Sequence, residues 1–534
     1  HFIGYSKTPS GHDRDGVTLS DFDLLNYFAP PFLAAIDAGV ASAMENYISL
    51  NGEPVAASAK ILRDLLRVDM RFDGVLTSID MSMAPYDTSF IDSAQQVLSA
   101  DPSQLPRLQE SARRIIKMKL KLGLYENAVP GAESVDLVGG AEDVAAALEL
   151  ARESVVLLQN RDDLLPLDSA ASVFLTGPNA DNVGHQCGGW SVRWQGYSGN
   201  NMFPHGVSIK QGFEAVLQST AGGSNESSSV QFFNGLSVDG AYSPADMATA
   251  KSLASATAVT VVVVGEGSYT EKPGDIDDLA LPRGQVAYVR ELVATGAKVV
   301  LVLVGGRPRL LDGLAKDVHA VVNAFLPCEL GGQAVAEIVF GKVNPSGRMP
   351  ITYPKDAANV MIPYNHRVST QCAGGPCQME WTFGAGLSYT SFAYSALTLS
   401  KASVTGPEDS LVASVTVTNT GSRAGKETVM LFVTQPFRRI SVPEVKKLRK
   451  FTKILLAPGA STTVAFTLTA ADWSVFEPQI GRGFHQVAED GDFVVAIKPE
   501  TDCDVYGPPA DNPLCKRFSL SSSSASGGGR RLRQ

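Results

Sequence analysis

The spacing of apolar residues predicts three regions with different secondary structure. In residues 1–125, short apolar stretches alternate with amphipathic segments. One such segment repeats apolar residues every three or four positions, at Leu108, Ala112, Ile115, Met118 and Leu122. This spacing predicts a helix. Its alternation with short strands around residues 39–47 and 72–83 is typical of β/α repeats.

A capping pattern predicts an earlier helix in the same region. Ser20 and Asp23 stand three positions apart before an apolar stretch. In this pattern both side chains bind backbone N–H groups at a helix start. We expect the helix to run only as far as Pro30 and Pro31, because proline removes a backbone donor.

Between residues 141 and 365 the apolar runs are continuous. They occupy residues 172–177, 258–265, 298–306 and 319–327. Continuous runs are typical of strands covered on both faces, so a mostly parallel α/β sheet is predicted. Residues 126–140, which contain Pro, Gly and Ser, are predicted to be a linker.

Beyond residue 391 the period of the pattern changes to two. Polar or small residues alternate with apolar ones in three runs, LVASVTVTNTGS, TVMLFVTQP and STTVAFTLTA. This alternation predicts an antiparallel β-sandwich of the fibronectin type III kind over residues 392–505. Residues 366–391 are predicted to connect the two domains. Residues 506–534 are predicted to form a loop with Cys and Pro and then a disordered tail of Ser, Gly and Arg.

Charge and composition exclude several classes of partner. The chain of 534 residues carries a net charge of −10, which argues against nucleic acid, because phosphate binding needs a positive surface. It has no run of about 18 apolar residues, so we expect no membrane partner. The first eleven residues lack the apolar core of a signal peptide.

Two glycine-rich stretches match nucleotide-binding loops only in part. GKVNPSGR lacks the final Lys-Ser/Thr of a phosphate-binding loop. Gly265 and Gly267 follow a predicted strand, but no third glycine completes a dinucleotide fingerprint. Because C-x-x-C pairs and clustered histidines are missing too, we expect no metal and no cofactor.

The cysteines indicate the compartment. Cys372 and Cys377 flank a loop of four residues, and Cys503 and Cys515 flank a Pro-rich loop. Such spacings suit local disulfides, which form in oxidising compartments, so an extracellular location is expected. Free thiols in a cytosolic protein are the alternative.

An acidic loop at a strand end is the main candidate for chemistry. GEGSYTEKPGD, residues 265–275, follows an apolar strand and carries Glu266, Glu271 and Asp275. In open α/β sheets, ligands bind beyond the carboxyl ends of the strands. The sequence therefore predicts a ligand site here.

Two aromatic residues point to the type of ligand. Trp190 and Trp194 lie four residues apart in the loop QCGGWSVRWQG. Carboxylates that move protons, together with aromatic rings, are typical of sugar sites. The alternative is that both tryptophans are half-buried core residues.

Stretches along nearly the whole chain, to about residue 500, resemble glycoside hydrolase family 3. The subgroup they match is that of the β-glucan exohydrolases and related β-glucosidases. These stretches are HFIGYS, MENYISLNG, FDG, DMSMAP, RIIKMKLKLGLYEN, ARESVVLLQN, LTGPNADNVGHQCGGWSVRWQG, VVVVGEGSYTEKPGD, GRMPITYP, TFGAGLSYTSFAYS and VTVTNTGSRAGKE.

The resemblance implies a fold and an activity. The family fold is a (β/α)₈ barrel, then an α/β sandwich, often followed by a fibronectin type III-like domain. The implied activity is removal of β-linked glucose from the non-reducing end of β-glucans, cello-oligosaccharides or β-glucosides. Two carboxyl groups about 5–5.5 Å apart would act by a retaining mechanism.

The resemblance also implies roles for particular residues. Glu271 matches the acid/base, and Glu266 and Asp275 would support it. Tyr47 matches a tyrosine beside the nucleophile, and His1 matches a histidine that binds the sugar. Trp194 matches a ring that grips the next sugar, and Trp190 lies in the same loop.

The nucleophile segment departs from the family pattern. The family has Ser-Asp-Trp after the strand that begins F-x-G, whereas FDGVLTS here continues directly into IDMSMAPYD. We therefore expect the nucleophile segment to be absent, together with the N-terminal half of the barrel. Residues 1–125 would then be the C-terminal part of a barrel. A rival alignment makes Asp80 the nucleophile.

Two other functions stay open. One is a catalytically inactive protein of this ancestry that binds carbohydrate or another partner. The other is a family member of the β-xylosidase or N-acetylglucosaminidase type.

Overall fold

The structure, a computed structural model, divides the chain into two compact units. It describes residues 1–83, 87–220, 230–368, 379–507 and 512–522. Among the described residues, unit 1 comprises 1–138 and 473–489, and unit 2 comprises 139–472 and 490–522. The finer domain boundaries drawn from the sequence stay predictions.

Unit 1 contains a short parallel strand pair among helices. Strand β1 (Ser42–Met44) pairs in parallel with β2 (Val75–Thr77). Both are shorter than the predicted strands at 39–47 and 72–83. The helices span Asp21–Asp23, Leu24–Phe28 and Ala59–Asp69 (both π-helical), Ala29–Asp37, Ser89–Ala100 and Leu105–Lys121, with 3₁₀ turns at Tyr5–Lys7, Val55–Ala57, Pro102–Gln104 and Ala132–Leu137. Further two-residue strands span Ser49–Leu50, Glu53–Pro54, Val475–Phe476 and Gln486–Val487.

The first long helical segment corrects one prediction. The Ser20 hydroxyl accepts a hydrogen bond from the Asp23 N–H at 3.0 Å, as the capping pattern predicts. The chain remains helical through Pro30 and Pro31 as far as Asp37, so the predicted helix end at these prolines is wrong. The two prolines begin the helix Ala29–Asp37 after a π-helical turn, and at a helix start their missing N–H groups cost little.

A segment distant in sequence completes the core of unit 1. Phe476, Ile480 and Phe484 pack against the buried cluster of residues from 2 to 76. The Asn26 side chain donates to the Phe476 carbonyl at 3.1 Å and accepts from its N–H at 2.8 Å. Residues 473–489 therefore belong to the fold of unit 1.

Unit 2 begins with a six-stranded sheet. Its strands are β3 (Val156–Asn160), β4 (Val173–Thr176), β5 (Val230–Phe232), β6 (Val259–Gly265), β7 (Val299–Val304) and β8 (Ala320–Phe325). Their order is β3-β8-β7-β6-β4-β5, and only β3 runs antiparallel to its neighbour. The predicted, mostly parallel sheet is confirmed. The helices of this part span Ala141–Ser154, Val183–Cys187, Ile209–Thr220, Pro244–Ala256, Arg283–Val293 and Gly331–Val339.

The sheet has an apolar core on each face. Side chains alternate between the faces of a strand. Val261 and Val263 of β6 therefore enter one buried cluster, and Val262 and Val264 enter the other. Covering on both faces explains why the strand is a continuous apolar run.

A β-sandwich follows in unit 2. Its main strands are β9 (Leu411–Asn419), β10 (Gly425–Thr434), β11 (Lys447–Leu456), β12 (Ser461–Leu468), β13 (Gly491–Ile497) and β14 (Cys515–Leu520). One sheet is built on β9 and β12, and the other runs in the order β14-β13-β10-β11. Every second residue of β9 is buried, as the period of two predicts. Small elements span Tyr353–Pro354, Met379–Trp381, Phe392–Tyr394, Thr398–Leu399, Ser403–Val404 and Ala470–Trp473.

Among the described residues of unit 2, two disulfides are present. Cys503 and Cys515 are bonded, as their spacing predicts. Cys187 is bonded to Cys328, a pair that local spacing did not indicate because 141 residues separate them. Cys372 and Cys377 lie outside the described residues, as do residues 508–511 and those from 523 on in the predicted tail.

Candidate functional site

The loop after β6 begins at a position that only glycine fits. Gly265 has φ +144°, and a Cβ there would lie 1.8 Å from the Val304 carbonyl oxygen of the neighbouring strand. Strand β6 ends at Gly265, so the acidic loop starts at the carboxyl end of this strand.

Glu266, the first acid of the loop, is buried and fixed by cations. Its Oε1 lies 2.8 Å from Arg307 Nη2 and 3.1 Å from Arg309 Nε. The Tyr269 hydroxyl donates to Oε2 at 3.0 Å. Glu266 is therefore bound to the protein itself, which fits the predicted supporting role.

Arg307 joins the two ends of the loop. Besides Glu266, it donates to the Gly274 carbonyl at 2.6 Å, and its guanidinium lies over the Tyr269 ring at 3.8 Å. Burial, and then the neighbouring Glu266 charge, raise the pKa of Tyr269. This keeps its hydroxyl a proton donor. Arg307 was not among the residues predicted from the sequence, where its signal is its place in GGRPR at the end of β7.

Glu271 sits at the turn of this loop with an unusual backbone. Its φ is 49° and its ψ is −153°, a conformation that costs a residue with a side chain about 1–3 kcal/mol. The side chain is half-buried. The Gly274 N–H donates to the Glu271 carbonyl at 2.7 Å. Such strain persists only where surrounding contacts hold it, and it concentrates at functional sites.

The tryptophan loop lies against the acidic loop. Trp190 and Trp194 are 70% and 48% exposed, so neither is a core residue. The Trp190 N–H donates to the Trp194 carbonyl at 2.9 Å, which closes the loop on itself. The Gln195 side chain bonds both backbone groups of Thr270, the residue before Glu271. The structure thus brings both predicted tryptophans and the predicted acid/base into adjoining loops.

The other predicted sugar-binding residues meet in unit 1. The rings of His1 and Tyr47 lie 5.5 Å apart between centroids, and the Arg14 guanidinium lies 4.9 Å from the Tyr47 ring. His1 Nδ1 lies 3.0 Å from the Glu45 carbonyl oxygen. Tyr47 is exposed at the carboxyl end of β1, where a ring can meet a ligand.

Glu45 is a site candidate that the sequence analysis missed. It directly follows β1 and is almost completely buried. Its Oε2 has no hydrogen-bond partner among the described residues. Burial raises its pKa, while its own N–H and the Ser78 hydroxyl act in the opposite direction. Its signal in the sequence is an acid at a strand end, the same signal that marks Glu266.

Asp80 is a charge-paired residue in the structure. Its fully buried carboxylate lies 2.8 Å from Arg67 Nη2 and 3.1 Å from both Arg107 Nη2 and Arg114 Nη1. Burial acts to raise its pKa, but the Leu76 N–H and the three guanidiniums outweigh burial and lower it. With both oxygens bound in this way, the geometry argues against attack on a sugar. The nucleophile assignment stays a prediction.

The described residues give no sign of a membrane span or a metal site. Within them, no helix is both long and apolar enough to cross a bilayer. In the same part of the chain, no group of three or more His, Cys, Asp or Glu side chains is placed to hold a metal ion.

Three family profiles match the chain in the order of its regions. Residues 1–115 match the glycosyl hydrolase family 3 N-terminal domain, and residues 155–389 match the C-terminal domain of that family. Residues 427–501 match a fibronectin type III-like domain. The predicted multidomain α/β fold class is confirmed.

Individual proteins show the same likeness. The chain is 36% identical to a lysosomal β-glucosidase of Dictyostelium discoideum over 541 aligned positions, which cover 93% of this chain and 64% of that protein. It is 29% identical to a β-xylosidase of Formosa agariphila, covering 94% of this chain and 74% of the relative. A β-glucosidase structure from Erythrobacter marinus superposes with a TM-score of 0.83 at 28% identity, covering 98% and 73%.

The chain thus spans less than two thirds of the length of the Dictyostelium relative. The profiles, the relatives and the superposed structure nevertheless agree on one family. The chain belongs to glycosyl hydrolase family 3.

Proposed function

We propose that this chain is by descent a β-glucosidase of family 3, with the acid/base of the site present and the nucleophile segment missing. Its substrates would be β-glucans, cello-oligosaccharides or β-glucosides, from whose non-reducing ends it removes glucose. The names of the Dictyostelium and Erythrobacter relatives support this substrate class.

The placement of Glu271 carries the proposal. It is a half-buried carboxyl group at a strained backbone position, beside a loop with two exposed tryptophans. A proton donor is one of the two carboxyl groups that cleavage of a glycosidic bond requires, and aromatic rings commonly line ligand sites. Glu266 is fixed by arginines. The family resemblance assigns the proton-transfer role to Glu271 rather than to Asp275.

The chemistry would proceed in two steps. In the first, Glu271 gives its proton to the glycosidic oxygen as the bond from C1 to that oxygen breaks, and a second carboxylate bonds to C1. In the second, Glu271 takes a proton from water, whose oxygen attacks C1 and releases the second carboxylate. The products are glucose and the leaving alcohol, with both carboxyl groups restored.

The second carboxylate is the open half of this scheme. We propose that its segment has no counterpart in this chain, because FDGVLTS runs directly into IDMSMAPYD. The alignment with the Dictyostelium relative supports this. It has 541 positions, but it includes only 93% of the 534 residues of this chain, so some positions hold a residue of the relative alone. The relative therefore has residues without a counterpart here.

A trapping experiment tests the nucleophile directly. Incubation with 2,4-dinitrophenyl 2-deoxy-2-fluoro-β-glucoside would leave a fluoroglucosyl group on any active nucleophile, since the fluorine slows the second step. Mass spectrometry of the peptides then locates the group. We expect no labelled peptide, and a label on Asp80 would show that the rival alignment is correct.

The activity itself is tested with p-nitrophenyl β-glucoside. Release of p-nitrophenol that falls at least about 100-fold in Glu271→Gln would support the proposal, because general acid/base catalysis contributes about 10²–10⁴-fold. Equal rates in the two proteins would refute catalysis by Glu271. If wild type releases nothing, the chain is not a β-glucosidase on its own.

Two alternative functions each have an observation that favours them. The paired carboxylate of Asp80 favours a protein that binds carbohydrate without hydrolysing it. Titration calorimetry with glucose and cellobiose would then detect binding without turnover. The Formosa relative favours a β-xylosidase, which faster release from p-nitrophenyl β-xyloside than from the glucoside would identify.

We also propose an oxidising, extracellular compartment. The disulfides Cys187–Cys328 and Cys503–Cys515 support it, because such bonds persist outside reducing cytosol. This is tested by purifying the protein without reductant and counting its free thiols by mass spectrometry after alkylation. Free thiols at these four positions in protein from the native source would contradict it.

A further inference from the structure

The Gln195 side chain holds the peptide group directly before Glu271. Its Nε2 donates to the Thr270 carbonyl at 2.9 Å, and its Oε1 accepts from the Thr270 N–H at 3.1 Å. A carboxamide that bonds both groups of one residue fixes that residue in place and in orientation. Nothing in the sequence pattern had singled out Gln195, which stands beside Trp194 in the tryptophan loop.

This contact acts on the backbone angle that aims Glu271. The Thr270 carbonyl and the Glu271 nitrogen belong to one peptide plane, which rotates about the Glu271 N–Cα bond as φ changes. With that plane fixed, φ stays at 49°, in a region that a residue with a side chain leaves when unrestrained. On the other side, Arg307 binds the Gly274 carbonyl, and the Gly274 N–H binds the Glu271 carbonyl. Glu271 is thus held from both directions.

Gln195 is itself held in place. Gly196 has φ +76°, and a Cβ there would lie 2.4 Å from the Gly188 carbonyl oxygen. The Ser268 hydroxyl of the acidic loop lies 2.7 Å from the Tyr197 carbonyl oxygen and donates to it. The disulfide from Cys187 anchors the start of the tryptophan loop. The tryptophan loop and the acidic loop are therefore joined at several points, with Gln195 at the point closest to Glu271 along the chain.

We propose that Gln195 is the positioning residue of the acid/base: it aims the Glu271 carboxyl group at the glycosidic oxygen. The inference rests on the proposed function and goes beyond it, because it assigns a role to a residue that touches no reacting atom. It also connects the two loops. A leaving sugar that contacts Trp194 would act, through the adjacent Gln195, on the residue that protonates it.

Leaving-group dependence separates this role from simple structural support. 2,4-Dinitrophenolate leaves without a proton, whereas phenol or a sugar needs one. A misaimed acid therefore slows phenyl β-glucoside and cellobiose but hardly affects the dinitrophenyl glucoside. In Gln195→Ala we expect kcat/KM to fall about 10–100-fold for the first two substrates and less than about 3-fold for the third. Gln195→Glu, which keeps the acceptor and loses the donor, should lie between wild type and Gln195→Ala.

A matched control removes the same kind of side chain elsewhere in unit 2. Gln159 donates to two backbone carbonyls, those of Ala315 and Val318, at 2.9 and 2.8 Å. Gln159→Ala should leave the ratio of the three kcat/KM values unchanged. An equal loss on all three substrates in Gln195→Ala, or the same change of ratio in Gln159→Ala, would overturn the proposal.

A second readout does not depend on turnover. Hydrogen exchange measured by mass spectrometry on peptides covering residues 266–275 reports the Thr270 N–H, which donates to Gln195. We expect exchange in this stretch to accelerate at least about 10-fold in Gln195→Ala and not in Gln159→Ala. If wild type shows no hydrolysis, the proposed function fails by that result alone. Unchanged exchange in Gln195→Ala would separately overturn the positioning role, and faster exchange would support it.

Discussion

The two units differ in how completely they cover their own apolar residues. In unit 2, strands β6 and β7 are buried along their whole length, with a cluster on each face of the sheet. In unit 1, the helix Leu105–Lys121 leaves Ile116 48% exposed and Leu120 57% exposed, and the helix Ser89–Ala100 has no buried residue. The apolar periodicity is clear in both units. It predicts an element well, but it does not tell whether a second layer covers that element.

The buried carboxylates extend the comparison. Asp80 in unit 1 and Glu266 in unit 2 are both buried and bound by arginines. Asp80 joins its own strand end to the helix Leu105–Lys121, whereas Glu266 fixes the loop that carries Glu271. A buried carboxylate paired with arginine is thus a structural device in both units. The candidate for proton transfer is Glu271, a less buried acid in the same loop as Glu266.

Truncating one apolar side chain in each unit gives the largest expected contrast. Phe174 on β4 is fully buried, so Phe174→Ala should lower the free energy of unfolding by about 3–5 kcal/mol. Ile116→Ala should lower it by less than about 1 kcal/mol, because half of that side chain already faces solvent. Urea unfolding followed by tryptophan fluorescence measures both. If Ile116→Ala costs as much as Phe174→Ala, the helix face of unit 1 is covered in solution and the comparison fails.

Removing the charge of Asp80 tests the ion-pair group of unit 1. Asp80→Asn would leave Arg67, Arg107 and Arg114 to repel one another around a neutral amide. We expect a loss of about 3–5 kcal/mol of unfolding free energy, since one member of a buried pair is removed. Asp73→Asn is the control, because Asp73 pairs with Lys117 at the surface and should matter little. Equal effects of the two substitutions in thermal unfolding would mean that burial of Asp80 contributes nothing.

The dense covering of unit 2 also predicts a pH effect. Burial lowers the pKa of His185 from 6.5 to about 4. Below pH 6.5 the His185 imidazole is protonated in the unfolded chain, whereas in the folded chain it stays neutral until about pH 4. Stability therefore falls as the pH is lowered across this interval. We expect His185 to account for about 3 kcal/mol of that fall. The slope of melting temperature against pH between 7 and 4 should be shallower in His185→Gln, and an unchanged slope would contradict the burial argument.

Much of the fold was accessible from the sequence because its signals are local. The four apolar runs predicted β4, β6, β7 and β8 to within two residues at each end. The period-two pattern predicted β9 and β12 to within three residues at each end. Strand β11 was missed, because its sequence KLRKFTKILL does not alternate. Two polar residues stand side by side at RK and at TK, and three apolar residues follow one another at ILL. The helix end at Pro30 was misplaced, because a π-helical turn before the prolines relieves a constraint that the pattern treats as absolute.

The residues of the candidate site also fall into two groups, those marked by their local sequence and those that act on distant partners. Glu271, Trp190 and Trp194 lie in short stretches whose residue types indicate their chemistry, and those stretches carry the family resemblance. Gln195, Arg307 and the Cys187–Cys328 bond act on partners tens to more than a hundred residues away. A single sequence contains no signal for such pairs.

By itself, the sequence determined the order of the regions, the strands of the α/β sheet and the loop that carries the acid, because periodicity and turn residues are read over a few neighbours. Only the tertiary structure decided the surroundings of each acid. It buried Glu266 and Asp80 among arginines and left Glu271 half-buried at a strained turn held by Gln195 and Arg307. The physical reason is that burial and charge pairing depend on groups brought together by folding, and these groups are far apart along the chain.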